Sequence, residues 1–396
     1  MAPPACRGGS IPAPSDIRVE RPAAGRYAAA MEAAERDAWL RLTLTPEIGP
    51  RTARTLLAAY GLPEAIFAAP RASLARHVPE PLAGVLAAPA EGAVAAAMRA
   101  AARWLGLDPA HALLTFADHD YPPLLLATAD PPPVLFAAGR RDLLQRPALA
   151  VVGSRSATQQ GAANAEAFAQ HLAQAGLTII SGLALGIDAA AHRGALKALD
   201  DGAESSTIAV LGTGVDVAYP ASNRALHEAV RRRGLLLSEF ALGTPGIAHN
   251  FPRRNRLIAG LARGVLVVEA ALRSGSLITA RLAAEAGREV FALPGSIHSP
   301  TARGCHRLIK DGAKLAESAQ DVLDELRIEA RADGRRSPRP AAHGALLAAL
   351  GFDPVDFDTL AARTGRDSGS LAAELLELEL AQDVERLPGN RYQRLR

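Results

Sequence analysis

The stretch Ala148-Leu149-Ala150-Val151-Val152-Gly153-Ser154-Arg155 places a short apolar run directly before a glycine, a serine and an arginine. An uninterrupted apolar run of this length is typical of a strand that is buried on both faces. Segments with helical periodicity, such as 161–175 and 276–286, separate such runs along the chain. Five further runs follow the first one, at 178–180, 207–211, 235–237, 265–268 and 290–293. Strands that alternate with helices predict an α/β fold, an extended Rossmann-like, doubly wound and mostly parallel sheet.

Composition divides the rest of the chain around this region. The turn Ile48-Gly49-Pro50 between two short helical segments resembles a helix-hairpin-helix, where backbone N–H groups can meet a phosphate. A plain helical corner in a small bundle is favoured over DNA contact by this unit. The predicted units are a disordered N-terminal extension (1–34), a helical SAM-like or helix-hairpin-helix-like domain (35–110), a Rossmann-like domain (111–326), a basic Pro/Arg linker (327–342) and a winged-helix-like domain (343–396).

The overall composition excludes several classes of protein. The chain has 396 residues, 49% of them hydrophobic, which is enough for two or three domains, and a formal net charge of only +3, which by itself does not indicate nucleic acid. Two cysteines, Cys6 and Cys305, make no disulfide framework, as expected for a reducing cytoplasm. We find no long apolar run and no signal-peptide pattern, so we expect a cytoplasmic protein without a membrane span.

Every predicted strand ends in small or polar residues. Ligands of an open parallel sheet bind beyond the carboxyl ends of its strands, where glycines permit close approach and free N–H groups bind anions. The residues that we expect to bind there are Gly153, Ser154, Arg155, Gly182, Gly186, Asn250, Phe251, Arg253, Arg254, Arg256, Ser274, Gly275 and Ser276. We call this predicted ligand-binding surface at the strand ends the rim.

The type of anion follows from what the rim contains. Gly-Ser-Arg is not the Gly-x-Gly-x-x-Gly of dinucleotide sites, and the chain has no P-loop motif, so no cofactor and no metal are predicted. Arginines for phosphate together with an aromatic ring for stacking are typical of single-stranded nucleic acid, where stacking contributes about 1–3 kcal/mol per base. No element of the α/β region looks suited to the major groove of a duplex.

Several of these side chains also fit purely structural roles. Arg155 follows a strand and a glycine directly, which favours a ligand role over a structural one. Phe251 fits a core anchor of its loop as well as a stacking platform. Arg254 and Arg256 can pair with the glutamates 239 and 269, and we expect this of one of them.

Two other features at helices are expected to be structural. His192 follows Asp188 by one helical turn and has no nucleophile beside it, so a hydrogen-bonding role is favoured over that of a general base. The triplet Arg231-Arg232-Arg233 ends a helix, where cations suit the helix dipole and a solvated face is expected.

Several of these segments together resemble the DNA-processing protein A (DprA/Smf) family. The matching segments, in family order and spacing across about 115–315, are 130–136 (DPPPVLF), 151–155 (VVGSR), 181–192 (SGLALGIDAAAH), 212–220 (GTGVDVAYP), 251–261 (FPRRNRLIAGL), 268–270 (VEA), 274–280 (SGSLITA) and 293–295 (LPG). Two departures are visible: in Gly304-Cys305-His306, His306 stands where we expect the asparagine of a Gly-x-Asn segment, and Ala248 stands where a family lysine can sit.

The resemblance implies a cytoplasmic protein that protects incoming single strands during natural transformation, dimerises through the Rossmann-like domain and loads RecA recombinase. It also implies that Arg155 is the arginine of the family's Gly-Ser-Arg motif and that Phe251 is its DNA-site aromatic.

Two other functions are compatible with parts of the sequence. A Rossmann-like nucleotide hydrolase of the phosphoribohydrolase type is suggested by Glu239 and Glu269, but the Pro-Gly-Gly-x-Gly-Thr loop of those enzymes is missing. A winged-helix DNA-binding regulator would use residues 343–396. We favour a binding and loading protein that is not an enzyme.

Overall fold

The computed structural model describes residues 33–328, 343–381 and 383–395. The predicted extension lies outside these ranges except for positions 33 and 34, which begin the first helix. The predicted linker also lies outside them, except for positions 327 and 328, and so does Cys6.

Six helices precede the sheet, and three of them carry proline in their first turn, where its missing N–H has no helical partner to lose. They are α1 (Ala33–Leu44), α2 (Pro50–Tyr60), α3 (Pro63–Ala68), α4 (Arg71–Leu74), α5 (Glu80–Ala87) and α6 (Gly92–Leu105). Gly49 precedes α2, so the Ile-Gly-Pro turn does join two helices. In the described part of the chain no single helix is long and apolar enough to span a membrane, and α5 with α6 reach that length and composition only across a 50° bend.

A nine-stranded sheet forms the centre of the molecule. Its strands are β1 (His111–Thr115), β2 (Val134–Gly139), β3 (Ala148–Val152), β4 (Thr178–Ser181), β5 (Thr207–Val210), β6 (Leu235–Ser238), β7 (Gly264–Val267), β8 (Glu289–Ala292) and β9 (Lys314–Leu315). The order is β1-β2-β6-β5-β4-β3-β7-β8-β9, and the strands from β6 to β9 are parallel. The six predicted strands are β3 to β8, so the prediction of a doubly wound, mostly parallel sheet is confirmed.

Three strands were not predicted. β2 pairs antiparallel with β6, β1 pairs antiparallel with β2, and β9 adds two residues at the opposite edge. The strand order reverses between β3 and β7, so the topological switch point lies beyond their carboxyl ends.

Helices cover both faces of the sheet. They are α7 (Pro123–Leu126), α8 (Gln159–Gln174), α9 (Ile187–Asp200), α10 (Arg224–Arg233), α11 (Asn250–Leu261), α12 (Ser276–Glu285), α13 (Arg303–Lys310) and α14 (Ala319–Glu325), with short 3-10 helices at Arg141–Gln145 and Ala221–Asn223. Along β3, Val151 packs with α8 and α9, whereas Val152 faces the opposite core with α11. Trp39 and Trp104 of the first helices share one core with Phe136 of β2.

The C-terminal part has a hydrophobic core of its own, which includes Leu346, Leu371 and Tyr392. Its elements are α15 (Gly344–Leu350), β10 (Val355–Asp356), α16 (Phe357–Thr364), α17 (Ser368–Leu380), β11 (Val384–Leu387) and β12 (Arg391–Arg394), with a three-stranded sheet in the order β10-β12-β11. Three helices followed by a hairpin confirm the prediction of a winged helix.

Candidate nucleic-acid interface

The turn after β3 is held tightly at the switch point. The Ser154 N–H donates to the Glu269 carbonyl oxygen at 2.7 Å, and the Ile187 N–H donates to the Ser154 carbonyl oxygen at 3.1 Å. A Cβ on Gly153 would lie 2.6 Å from Cγ1 of Ile187, and Gly186 has a φ of +71° and lies against the Ser154 carbonyl oxygen. Only glycine fits at both positions, and the turn therefore presents Arg155 at a fixed place on the surface.

Arg155 is exposed at the surface of the turn. Its guanidinium lies 5.4 Å from the centroid of the Phe251 ring, and it forms no ion pair with any carboxylate in ranges 33–328, 343–381 and 383–395. A cation on an aromatic face keeps a defined position while its N–H groups stay available to a ligand. Arg155 is therefore placed to bind a phosphate.

Phe251 is half-buried in the first turn of α11 and forms the centre of an aromatic row. A Cβ on Gly212 would lie 2.6 Å from Cδ1 of Phe251, so the glycine after β5 gives the ring its place. The Tyr219 ring lies 5.4 Å from the Phe251 ring, tilted by 30°. We define the aromatic row as Arg155, Phe251 and Tyr219. Tyr219 is not among the predicted rim residues, although an aromatic residue in a strand-end loop was a signal for it.

Arg254 lies in the interior, which corrects the expectation that it contacts DNA. It is only 3% exposed, and its guanidinium donates to the Gly182 carbonyl oxygen at 2.7 Å and to the Val210 carbonyl oxygen. Burial lowers the pKa of Arg254 to about 10, and the nearby Asp188 opposes this shift. The Asp188 carboxylate accepts from the Gly182 N–H at 3.1 Å. Arg254 thus joins the ends of β4 and β5 from beneath the rim.

Arg256 and Arg253 both reach Glu239, whose side chain is 2% exposed. Arg256 forms an ion pair with that carboxylate and donates to the Asp130 carbonyl oxygen at 2.6 Å. Arg253 lies 3.3 Å from the same carboxylate but is 49% exposed. The expectation that one of Arg254 and Arg256 pairs with a glutamate is confirmed for Arg256. Burial raises the pKa of Glu239, and the two arginines counteract that shift.

Glu269 has a different partner from the one expected. Its carboxylate accepts from the Thr158 N–H at 3.0 Å and from the Thr158 hydroxyl at 2.6 Å. Gly161 lies directly against that carboxylate. A carboxylate therefore fills the start of α8, which is the place where many Rossmann-like proteins hold a phosphate.

The other predicted rim residues differ in how far they reach the surface. Asn250 and Ser276 are buried, and Gly182 is buried against Arg254, so these three support the rim rather than line it. Ser274 is half-buried and donates to or accepts from Ser276 at 2.6 Å, while Gly275 is exposed.

His192 is fully buried, and its Nδ1 lies 2.7 Å from the Thr207 hydroxyl oxygen. Burial lowers the pKa of His192 to about 3, so the ring is neutral at physiological pH. The predicted hydrogen-bonding role is confirmed. The part of the chain that the structure describes holds no group of three or more His, Cys, Asp or Glu side chains suited to a metal.

Comparison with known proteins agrees with this geometry. A family model described as DNA recombination-mediator protein A matches residues 112–327, which carry the nine-stranded sheet, except for the first residue of β1, and the rim. The chain belongs to the DprA family. A second family model, the DprA winged helix domain, matches residues 330–390.

Two relatives from the DprA family align with this chain over most of their own length. Protein Smf of Escherichia coli (strain K12) is 44% identical over 304 residues, which is 74% of this chain and 79% of that protein. The DNA processing protein DprA of Streptococcus pneumoniae is 48% identical over 231 residues, 56% of this chain and 80% of that protein. The X-ray structure of DprA from Streptococcus pneumoniae superposes with a TM-score of 0.57 at 38% identity, covering 75% of this chain and 99% of that one.

Proposed function

We propose that this DprA family member binds single-stranded DNA along the rim, protects incoming strands during natural transformation and loads RecA onto them in the cytoplasm. It does so as a binding protein without catalysis of its own. The observation that carries the proposal is the exposed Arg155, free of any ion pair in the described ranges, with its guanidinium beside the Phe251 ring. Phosphate contact and base stacking at one place suit an unpaired strand.

The geometry disfavours a nucleotide hydrolase. Glu239 is neutralised by Arg253 and Arg256, and Glu269 is engaged by Thr158. The Glu269 carboxylate also repels a phosphate from the start of α8, because like charges at contact distance are unfavourable. His192 is buried and neutral and therefore poorly placed to move a proton at the rim.

A winged-helix regulator is disfavoured by the charge of α17. In helix-turn-helix proteins the second helix of the motif enters the major groove. α17 holds this position, yet it contains no lysine or arginine, and its exposed side chains include Leu376, Glu377, Glu379 and Leu380. Carboxylates repel the phosphate backbone, so the Rossmann-like domain is the better DNA-binding candidate.

A homodimer through the Rossmann-like domain forms part of the proposal. β9 is a strand of two residues at one edge of the sheet, and its Leu315 is 45% exposed. An exposed strand edge with an apolar side chain is suited to pairing with a second copy. Sedimentation of the purified chain and of Leu315→Asp tests this point: a monomer in both samples would contradict it.

The deciding experiment is a titration of labelled oligo(dT) with the Arg155→Ala variant at several salt concentrations. We expect weaker binding and a salt slope that falls by about 0.7, the value for one lost phosphate contact on a single strand. Arg103→Ala is the matched control, because Arg103 is exposed on α6, far along the chain from the rim residues. Unchanged affinity and slope in Arg155→Ala would overturn the proposal. Loss of RecA-dependent strand exchange in the same variant would extend it to loading.

A further inference from the structure

We infer that the loops after β4, β5 and β6 form a separate surface for unpaired nucleobases, made of Leu185, Tyr219 and Ile247. This inference rests on the proposed function. It assigns the phosphates and the bases of the bound DNA to different sides of the rim. Phosphates lie on the β3 and β7 side, at Arg155. Bases lie on the β4 to β6 side, and Phe251 stands between the two. We call Leu185, Tyr219 and Ile247 the base surface.

The first observation is the exposure of three large apolar side chains on neighbouring loops. Leu185 and Tyr219 are each 45% exposed and Ile247 is 40% exposed. Single exposed apolar residues are ordinary on a protein surface, but neighbouring ones on one edge of a sheet mark an interaction site. Their loops follow β4, β5 and β6, which are adjacent in the sheet.

The three loops are tied to each other, so the base surface is continuous. The Asn223 amide donates to the carbonyl oxygen of Leu183 at 2.9 Å and joins the loop after β5 to that after β4. The Gly214 N–H donates to the Thr244 carbonyl oxygen at 2.9 Å and joins the loop after β5 to that after β6. A Cβ on Gly246 would lie 2.7 Å from the Tyr219 ring, so the backbone before Ile247 packs directly on that ring.

The second observation is the charge of these loops. No lysine or arginine occurs in 183–187, 211–223 or 240–248. Asp216 is exposed there, and its carboxylate accepts from the Gly243 N–H at 2.9 and 3.0 Å. A surface without cations and with one carboxylate cannot favour phosphate, whereas nucleobases need apolar and aromatic faces and no charge.

Tyr219 is the best stacking platform of the base surface, because its ring is held from behind and open in front. Gly246 and Phe251 contact it on the protein side, and almost half of its surface remains in solvent. A ring fixed in this way loses little freedom when a base stacks on it. The aromatic row therefore runs from a phosphate ligand at Arg155 to a base ligand at Tyr219.

The test compares two probes of equal charge: oligo(dT) and an abasic deoxyribose-phosphate oligomer of the same length. We expect Tyr219→Ala to weaken oligo(dT) binding about tenfold, with an unchanged salt slope and unchanged binding of the abasic oligomer. Arg155→Ala should weaken both probes and lower the slope. Tyr219→Phe keeps the ring and should bind like the parent chain.

Two further variants keep the test decisive if Tyr219→Ala alters the loop. Gly246→Ala displaces the Tyr219 ring, and Ile247→Ser removes an apolar contact, so both should weaken oligo(dT) binding selectively. Leu107→Ser is the matched control, because Leu107 is 77% exposed and follows α6, apart from the rim. Each variant is checked for an unchanged thermal midpoint.

The outcomes separate this inference from the proposed function. If Tyr219→Ala and Ile247→Ser bind oligo(dT) as the parent chain does while Arg155→Ala does not, the base surface is wrong and the proposed function stands. Equal weakening of both probes by Tyr219→Ala also overturns the base surface. If no Arg155 effect is found either, the proposed function itself fails.

Discussion

Both hydrogen bonds from Thr158 to Glu269 cross the switch point: the N–H donates to the carboxylate at 3.0 Å and the hydroxyl donates at 2.6 Å. Thr158 is the N-cap of α8, and Glu269 follows β7. The pair therefore joins the two halves of the doubly wound sheet at the point where the strand order reverses. It also places a fixed negative charge at the start of α8, where it interacts favourably with the helix dipole.

Replacing Glu269 with alanine should lower the free energy of unfolding by about 1–2 kcal/mol, the range expected for losing hydrogen bonds to a carboxylate at the start of a helix. The reason is that the Thr158 N–H and hydroxyl lose their acceptor and the α8 dipole loses its anion. Denaturant unfolding monitored by circular dichroism measures the change.

The control for this prediction is Glu285→Gln. Glu285 lies 3.5 Å from Arg281 in an exposed pair on α12, and exposed pairs contribute about 0–1 kcal/mol. If the Glu269 and Glu285 variants unfold at the same denaturant concentration, the carboxylate at α8 has no special role in stability.

Arg253 and Arg256 both pair with Glu239, but replacing them should affect protein stability to different extents. Arg256→Ala removes the main partner of a buried carboxylate, so we expect a loss of about 3–5 kcal/mol in stability. Arg253→Ala removes a half-exposed group and should cost less than about 1 kcal/mol while weakening binding of single strands. Unfolding curves and salt-dependent titrations of both variants measure the two effects. A larger stability loss in Arg253→Ala than in Arg256→Ala would show that the roles are assigned wrongly.

His192 should make the protein less stable in mild acid. The unfolded imidazole takes up a proton as the pH falls below 6.5, whereas the folded one stays neutral down to about 3 because burial lowers its pKa. The unfolded state thus binds more protons in this window, and stability falls with pH by about 1.4 kcal/mol per unit, or about 2 kcal/mol from pH 6.5 to 5.0.

The variant His192→Gln isolates this effect, since it removes the titrating ring but keeps a polar partner for Thr207. We expect its stability to fall less with acid than that of the parent chain. Some acid sensitivity should remain in both chains, because both keep His227, another histidine whose pKa burial lowers. Leu172→Ala destabilises the protein without changing a titrating group. Its free energy of unfolding should lie below that of the parent chain by the same amount at pH 6.5 and at pH 5.0. Parallel pH curves for His192→Gln and the parent chain would rule out the buried neutral histidine.

The central strands follow from the sequence because each is an apolar run buried on both faces. The strands β1 and β2 do not follow so directly. They are joined through the four-residue α7 and lack the helical crossover that makes a parallel pair recognisable, and β2 comes after three successive prolines. β2 pairs with β6, about a hundred residues along the chain, and β1 pairs with β2, so no local pattern shows where the two strands lie.

The burial of Arg254 could have been found from helical periodicity. The predicted rim places residues 250–256 among the strand ends, but they begin α11. Arg254 then lies on the same helix face as Leu257, Ile258 and Leu261, all of them buried, whereas Arg253 is turned by about 100° toward solvent. The carbonyl groups that accept hydrogen bonds from its guanidinium come from the ends of β4 and β5, and only the fold brings them to α11.

Removing residues 343–396 should leave binding of single strands within about twofold of the full chain. The winged helix has a core of its own, so its loss does not open the core of the sheet. Its α17 carries leucines and glutamates on the exposed side and no lysine or arginine, whereas the rim keeps the aromatic row, which includes Arg155. Phosphate contacts determine most of the affinity for nucleic acid, and these lie outside the deleted part. Titration of oligo(dT) and of a duplex with both chains decides the matter: loss of all DNA binding on deletion would transfer the site to the winged helix.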